Sequence, residues 1–108
     1  MQKGEIWIVD LSDGKGHEQK GSRPALVMGR ANKLTVVLPL TSQMDRAQFP
    51  FTELIERTPT NGLGADSLAL IFQIMALDDQ RFKQCLGTIS KEKQVIVDKL
   101  LVDLLKLG

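Results

Sequence analysis

The hydrophobic pattern of this chain changes period once, near residue 90. Before that point apolar residues come in short runs rich in β-branched side chains, separated by glycine, proline and polar clusters. Such runs predict strands over 5–10, 24–28, 34–41, 51–55, 67–74 and 83–89. Pro24 suits the first position of a strand, where no ladder N–H is required, and Pro39 predicts a break or an edge in the third. Residues 12–22, with Gly14, Gly16 and Gly21, read as a loop, as do 29–33 and the polar segment 42–50. Asn61-Gly62 inside 58–64 is a hairpin-type turn signal, and 78–81 predicts a short helical turn. After Ser90, an N-cap candidate with Glu92 in the first turn, the spacing becomes helical. Val95, Ile96, the 99–101 stretch, Leu104, Leu105 and Leu107 predict a helix over 91–106 with a wide apolar face. Several short strands followed by one helix predict a mainly β domain. The expected form is a small curled antiparallel barrel, closed or capped by the C-terminal helix.

Composition narrows the function classes. A length of 108 residues makes 1–108 a single domain with a modest core, a size that often gains from oligomerisation. Fourteen Lys and Arg face thirteen Asp and Glu, so the broad basic field of non-specific nucleic-acid binding is absent and any anion site must be local. Cys85 is the one cysteine and His17 the one histidine, which leaves no disulfide framework and makes a metal cofactor unexpected. The same reading expects Cys85 to be a buried small apolar residue. With no charged-then-apolar leader and no long apolar run, a soluble, cytoplasmic protein with no membrane partner is expected.

The least scaffold-like stretch is 16–27, GHEQKGSRPALV, where a titratable, glycine-bounded loop and an arginine abut an apolar strand. Gly16-x-x-x-x-Gly21-Ser22 approaches a phosphate-binding P-loop only superficially. That motif needs Gly-Lys-Ser/Thr opening a helix, and here Ser22-Arg23 leads into a proline and a strand.

KGEIWIVDL at 3–11, GHEQKGSRPALVM at 16–28, VVLPLTSQ at 36–43 and DSLALIFQIMALDDQRF at 66–82 together resemble the MazF/PemK family of toxin ribonucleases. LGTISKEK leading into the terminal helix fits as well. The match runs in order along nearly the whole chain, and its G-x-E-Q-x-G-x-R-P-x-L-V element is fairly specific. The resemblance implies an SH3-like antiparallel barrel with a C-terminal helix, usually a homodimer. It implies metal-independent, cofactor-free cleavage of single-stranded RNA at short sequences. The 2′-hydroxyl attacks the adjacent phosphate and the 5′-oxygen leaves, giving a 2′,3′-cyclic phosphate and a 5′-hydroxyl. A cognate antitoxin, acidic and partly disordered, is the expected protein partner.

Arg23 and Thr41 match the family's catalytic pair. A guanidinium presents a charged planar fork to the non-bridging oxygens where the transition state gathers charge. A threonine hydroxyl can donate to the same phosphate. His17, Glu18, Gln19, Lys20 and Ser42 are the expected RNA-binding residues. Gln19 can read a base edge. Glu18 can accept the 2′-hydroxyl proton, although an exposed carboxylate is a weak base at neutral pH. His17 is the better acid–base group by its usual pKa, yet it departs from the family's small polar residue at this position. Phe72 is a second departure, standing where many relatives carry an acidic or polar residue before Q-I.

The competing readings are a non-catalytic binding toxin like the CcdB-type gyrase inhibitors, and a relative that has lost activity. The Arg23 and Thr41 motifs favour the nuclease. Because His17 lies outside the family pattern, His17→Ala is expected to retain substantial RNA cleavage. Complete loss of cleavage in a folded His17→Ala protein, followed on a labelled RNA, would contradict that placement.

Overall fold

The structure, a computed structural model, is described for residues 1–11 and 21–108. Seven strands, β1 (Glu5–Asp10), β2 (Ser22–Ala31), β3 (Leu34–Thr41), β4 (Thr52–Ile55), β5 (Ser67–Leu70), β6 (Met75–Asp78) and β7 (Phe82–Thr88), precede one helix, α1 (Lys91–Leu105). Every ladder is antiparallel. The order across the sheet is β4-β5-β3-β2-β1-β7, with β6 also paired to β3. The mainly β architecture with a terminal helix is as expected, but the ladders form an open sheet. Among the described residues no ladder joins β6 to β7, whose only link is the short 3-10 turn Asp79–Arg81.

Both faces of this sheet are covered, which explains why the strands read as near-continuous apolar runs. Ile6, Leu26, Leu38 and Leu40 enter one core with Ile55, Ala69, Ile71 and Val97, against which Leu100, Leu101 and Leu104 of α1 pack. Val9, Leu11, Ala25, Val27 and Val37 enter a second core with Trp7, Met75, Leu77 and Phe82. Each fully buried Leu, Ile or Val contributes about 1.5–3 kcal/mol relative to exposure.

Two departures from regularity set the shape. Val27 pairs with Val37 and Gly29 with Val36, so Met28 is an extra residue, a bulge that bends β2. On the other edge, β3 changes partner. Leu34 to Val37 pair with β6, whereas Leu40 and Thr41 pair with β5. Pro39 sits at this change, where a residue without an N–H leaves no donor stranded. The fifth strand, expected over 67–74, is shorter than predicted, and a further strand that was not predicted follows it. β5 stops at Leu70, and the chain passes through the 3-10 turn Ile71–Gln73 into β6.

The terminal helix begins as predicted. The Ser90 hydroxyl accepts from the Lys93 N–H, and the helix ends at Lys106 in the left-handed region, with Leu107 N–H donating to the Val102 carbonyl. Only Val97 is fully buried, and Val95, Ile96 and Leu105 stay exposed. Cys85 is exposed on β7, opposite Trp7, contrary to its expected burial. Asn61-Gly62 makes no two-residue hairpin. It belongs to the long connection between β4 and β5, where Asn61 is buried. Its amide N–H donates to the Glu56 carbonyl, and its side-chain oxygen accepts from the Thr58 and Leu63 N–H groups.

Asp79 ties the far end of the sheet together. It accepts from the Arg30 guanidinium and, at 3.1 Å, from the hydroxyl of fully buried Thr35, and its own N–H donates to the Lys33 carbonyl. The Arg30 hydrogen bond, reinforced by Thr35, holds the Asp79 carboxyl below its usual pKa. A depressed folded-state value means that the contribution is complete above the unfolded-state pKa, about 3.9, and disappears as pH falls through the folded value. Asp79→Asn is therefore expected to lower the urea midpoint at neutral pH, with the gap from wild type closing below about pH 4. A gap independent of pH would show that the ion pair does not carry the stabilisation.

Candidate functional site

The β2–β3 register dictates which residues meet at the open end of the sheet. The ladder's last pair there is Ala25 with Pro39. Antiparallel strands run oppositely, so Arg23 lies two residues beyond this pair on one strand and Thr41 two residues beyond it on the other, and both line the same cleft. The two residues are also held from outside. Arg23 pairs with Val9 of β1, and Thr41 pairs with Leu68 of β5. Eighteen positions of sequence thus become one cross-strand neighbourhood.

Arg23, Thr41 and Ser42 line one cleft of about 280 Å³. Its remaining walls are Ile8 and Pro24 from the sheet, Leu63, Gly64 and Ala65 from the β4–β5 connection, and Leu40, Ser67 and Leu86. Among the described lining residues Arg23 is the only charged side chain, and no carboxylate is present. Lys83 reaches from β7 to the Ser22 hydroxyl at 3.4 Å, placing a second cation beside Arg23 in the sheet. A guanidinium at such a cleft is a group suited to contacting phosphate oxygens.

Thr41 is oriented rather than merely present. It is 6% exposed, and its hydroxyl oxygen accepts from the Gln43 N–H at 3.2 Å. The hydroxyl proton remains available for an acceptor in the cleft. Ser42 is exposed beside it. His17, Glu18, Gln19 and Lys20, the other expected RNA-binding residues, lie outside the described residues. No group of three His, Cys, Asp or Glu side chains suited to holding a metal ion occurs among the described residues. A larger groove of about 420 Å³ lies against α1, lined by Lys3, Met28 and Asp98 among others, and none of the expected site residues enters it.

The wall at 63–65 was not foreseen from the sequence. Asn61 organises that connection from within, and two glycines press it against β7. A Cβ on Gly62 would stand 2.1 Å from the Leu86 carbonyl oxygen, and one on Gly87 the same 2.1 Å from the Thr60 oxygen. Gly62 also has φ +71°, a conformation that L side chains rarely adopt. The Thr88 N–H donates to the Thr60 carbonyl and fixes the same contact.

Residues 2–105 match the family described as PemK-like, MazF-like toxin of type II toxin-antitoxin system. The chain belongs to this family. It is 33% identical to endoribonuclease MazF9 of Mycobacterium tuberculosis, covering 94% of this chain and 92% of that protein. It is 30% identical to endoribonuclease MazF of Staphylococcus epidermidis, over 94% of this chain and 88% of the relative. The crystal structure of MazF from Deinococcus radiodurans superposes with a TM-score of 0.83 at 25% identity, covering 98% of this chain and 96% of that one. The fold also matches that in a MazE–MazF crystal structure from the same organism, with a TM-score of 0.73 at 22% identity. In this MazF-like chain no helix among the described residues is long and apolar enough to cross a membrane.

Because the cleft wall depends on backbone contact at Gly87, Gly87→Ala is expected to destabilise the protein by about 3 kcal/mol, the upper end for an overpacked site. Chemical denaturation measures this directly, and an unchanged midpoint would mean that the connection moves aside freely.

Proposed function

We propose that the chain is a metal-independent endoribonuclease toxin that cuts single-stranded RNA at short sequences. The observation that carries this reading is the convergence of Arg23, Thr41 and Ser42 on one cleft. Family membership and the endoribonuclease names of its relatives support it.

The scissile phosphate enters the cleft, and the ribose 2′-hydroxyl attacks phosphorus. The 2′-oxygen bond to phosphorus forms, the 5′-oxygen bond breaks, and the products are a 2′,3′-cyclic phosphate and a 5′-hydroxyl. The attacking hydroxyl loses its proton to a base, and the leaving oxygen gains one. Between these events negative charge builds on the non-bridging oxygens. The Arg23 guanidinium and the Thr41 hydroxyl donate to those oxygens, the interaction that strengthens most as charge develops. Gln43 assists by occupying a Thr41 lone pair and directing its proton outward. Ser42 offers a hydroxyl to the RNA, and the 17–20 stretch supplies the remaining contacts, with Glu18 or water taking the first proton.

The acting form is a homodimer, and the exposed Val95, Ile96 and Leu105 of α1 are apolar surface available to such an interface. An acidic antitoxin neutralises it in the cytoplasm. The fold shared with a relative crystallised as a MazE–MazF complex supports that partner class.

The test is incubation of the purified protein with a long single-stranded RNA in EDTA, with product ends mapped. Discrete cuts with 5′-hydroxyl ends are expected, reduced at least about 100-fold in a folded Arg23→Ala variant, as for loss of a donor aimed at developing charge. Undiminished cutting by Arg23→Ala would remove Arg23 from the mechanism. No cutting across varied RNAs would favour a binding toxin instead.

A further inference from the structure

Thr41 begins a hydrogen-bonded string that leads to a second arginine. The Gln43 N–H donates to the Thr41 hydroxyl, and the Gln43 side-chain oxygen accepts from Arg46 Nε at 3.3 Å. Arg46 lies in the 3-10 turn Met44–Gln48 and is half-buried. Its backbone joins the same string, with its N–H donating to the Gln43 carbonyl and its carbonyl accepting from the Phe49 N–H. The turn is pinned at its far end as well. The Thr52 hydroxyl donates to the Phe49 carbonyl, and the Phe49 ring packs on Phe72 with centroids 5.9 Å apart.

The sheet register places this turn on the face that carries the catalytic pair. Thr41 pairs with Leu68, so both side chains point the same way, as does Leu70 two residues on. Ala69 and Ile71 point oppositely, into the core under α1. Leu68 and Leu70 are nonetheless buried, at 4% and 0% exposure, and the Met44–Gln48 turn packs on β4 and β5. The turn therefore lies beside these two residues. Arg46 thus stands on the Thr41 side of the sheet, one hydrogen-bonded residue from the cleft.

The way Arg46 is held is informative. Arg30 spends its guanidinium on Asp79 in an ion pair. Arg46 donates through Nε to a neutral amide, and no carboxylate among the described residues pairs with it. That bond fixes the plane of the guanidinium and leaves its terminal nitrogens as a fork, the geometry that grips a phosphate bidentately.

We infer that Arg46 is a second phosphate-binding residue, which holds the RNA phosphate neighbouring the scissile one and so sets the strand's path across the Thr41 side of the cleft. This rests on the ribonuclease reading and names a contact that reading does not contain.

The test uses a short single-stranded RNA spanning a mapped cut site, with a 2′-deoxy substitution at the attacking nucleotide to prevent cleavage. Its Kd is measured against NaCl concentration for wild type, Arg46→Gln and Arg46→Lys. Arg46→Gln is expected to weaken binding about tenfold. It should also make the slope of log Kd against log salt shallower by about 0.7, the loss of one single-strand phosphate contact. Arg46→Lys keeps the charge without the fork, so the slope is retained and affinity recovers in part. A methylphosphonate at the neighbouring phosphate should weaken wild type and leave Arg46→Gln unaffected.

An unchanged Kd and slope in folded Arg46→Gln overturn the inference. So does weaker binding with an unchanged slope, the signature of a disturbed turn alone. If Arg46→Gln does not fold, Arg46→Lys with the methylphosphonate RNA decides: equal penalties in wild type and variant remove the fork from that phosphate. Intact RNA binding with lost antitoxin binding would reassign Arg46 to a protein carboxylate. A wild-type protein that neither binds nor cuts RNA overturns the functional reading itself, a result obtained before any Arg46 variant is made.

Discussion

The register between β2 and β3 is the constraint on which the rest of the molecule depends. With side chains alternating across a strand, a slip of β2 by one residue would send its Ala25 and Val27 to the opposite face, away from Val37 of β3. The same slip would separate Arg23 from Thr41. Burial on both faces therefore fixes the register energetically, and the cleft inherits that precision at no separate cost in stabilising contacts. The bulge at Met28 lies beyond the functional end of the ladder, so the distortion that bends β2 leaves the pairing from Val27 to Ala25 regular where it matters.

Around that ladder, different elements supply different parts of the site. β1 holds Arg23 from one side, and β5 holds Thr41 from the other. The β4–β5 connection contributes a wall that Asn61 braces from within, bonding to Glu56, Thr58 and Leu63. The chemistry is concentrated in a few side chains on a rigid frame, the arrangement that preorganised donors require.

Much of this was legible in the residues, and the failures have physical causes. Short apolar runs rich in β-branched residues located most strands, and the Ser90 cap with helical spacing located α1 within a residue of its end. The break between β5 and β6 was missed because Ile71, Phe72 and Ile74 are apolar and no glycine or proline marks the turn. The three-residue spacing of Ile71 and Ile74, both packed toward the core, was the available signal. Asn61-Gly62 misled because asparagine serves hairpin turns and internally bonded loops equally well. Cys85 misled because a small apolar residue on an edge strand has a solvent face to occupy. Arg23 and Thr41 were found through the family resemblance, but their meeting depends on pairings that no local pattern encodes. Arg46 was invisible for the opposite reason, since a polar segment of mixed charge reads as an ordinary loop.

The change of partner at Pro39 has a mechanical consequence. Arg23 is anchored to β1, in the main body of the sheet, whereas Thr41 is anchored to β5, in the small β4–β5 hairpin that β3 joins only through its last two residues. The gap between Arg23 and Thr41 thus spans a seam between ladders of unequal length. Strain at that seam falls on the two-residue Leu40–Thr41 ladder, while the Thr60–Thr88 hydrogen bond and the close contacts at Gly62 and Gly87 keep the β4–β5 connection against β7. The candidate site thus lies on the shortest joint that β3 makes rather than within one continuous ladder.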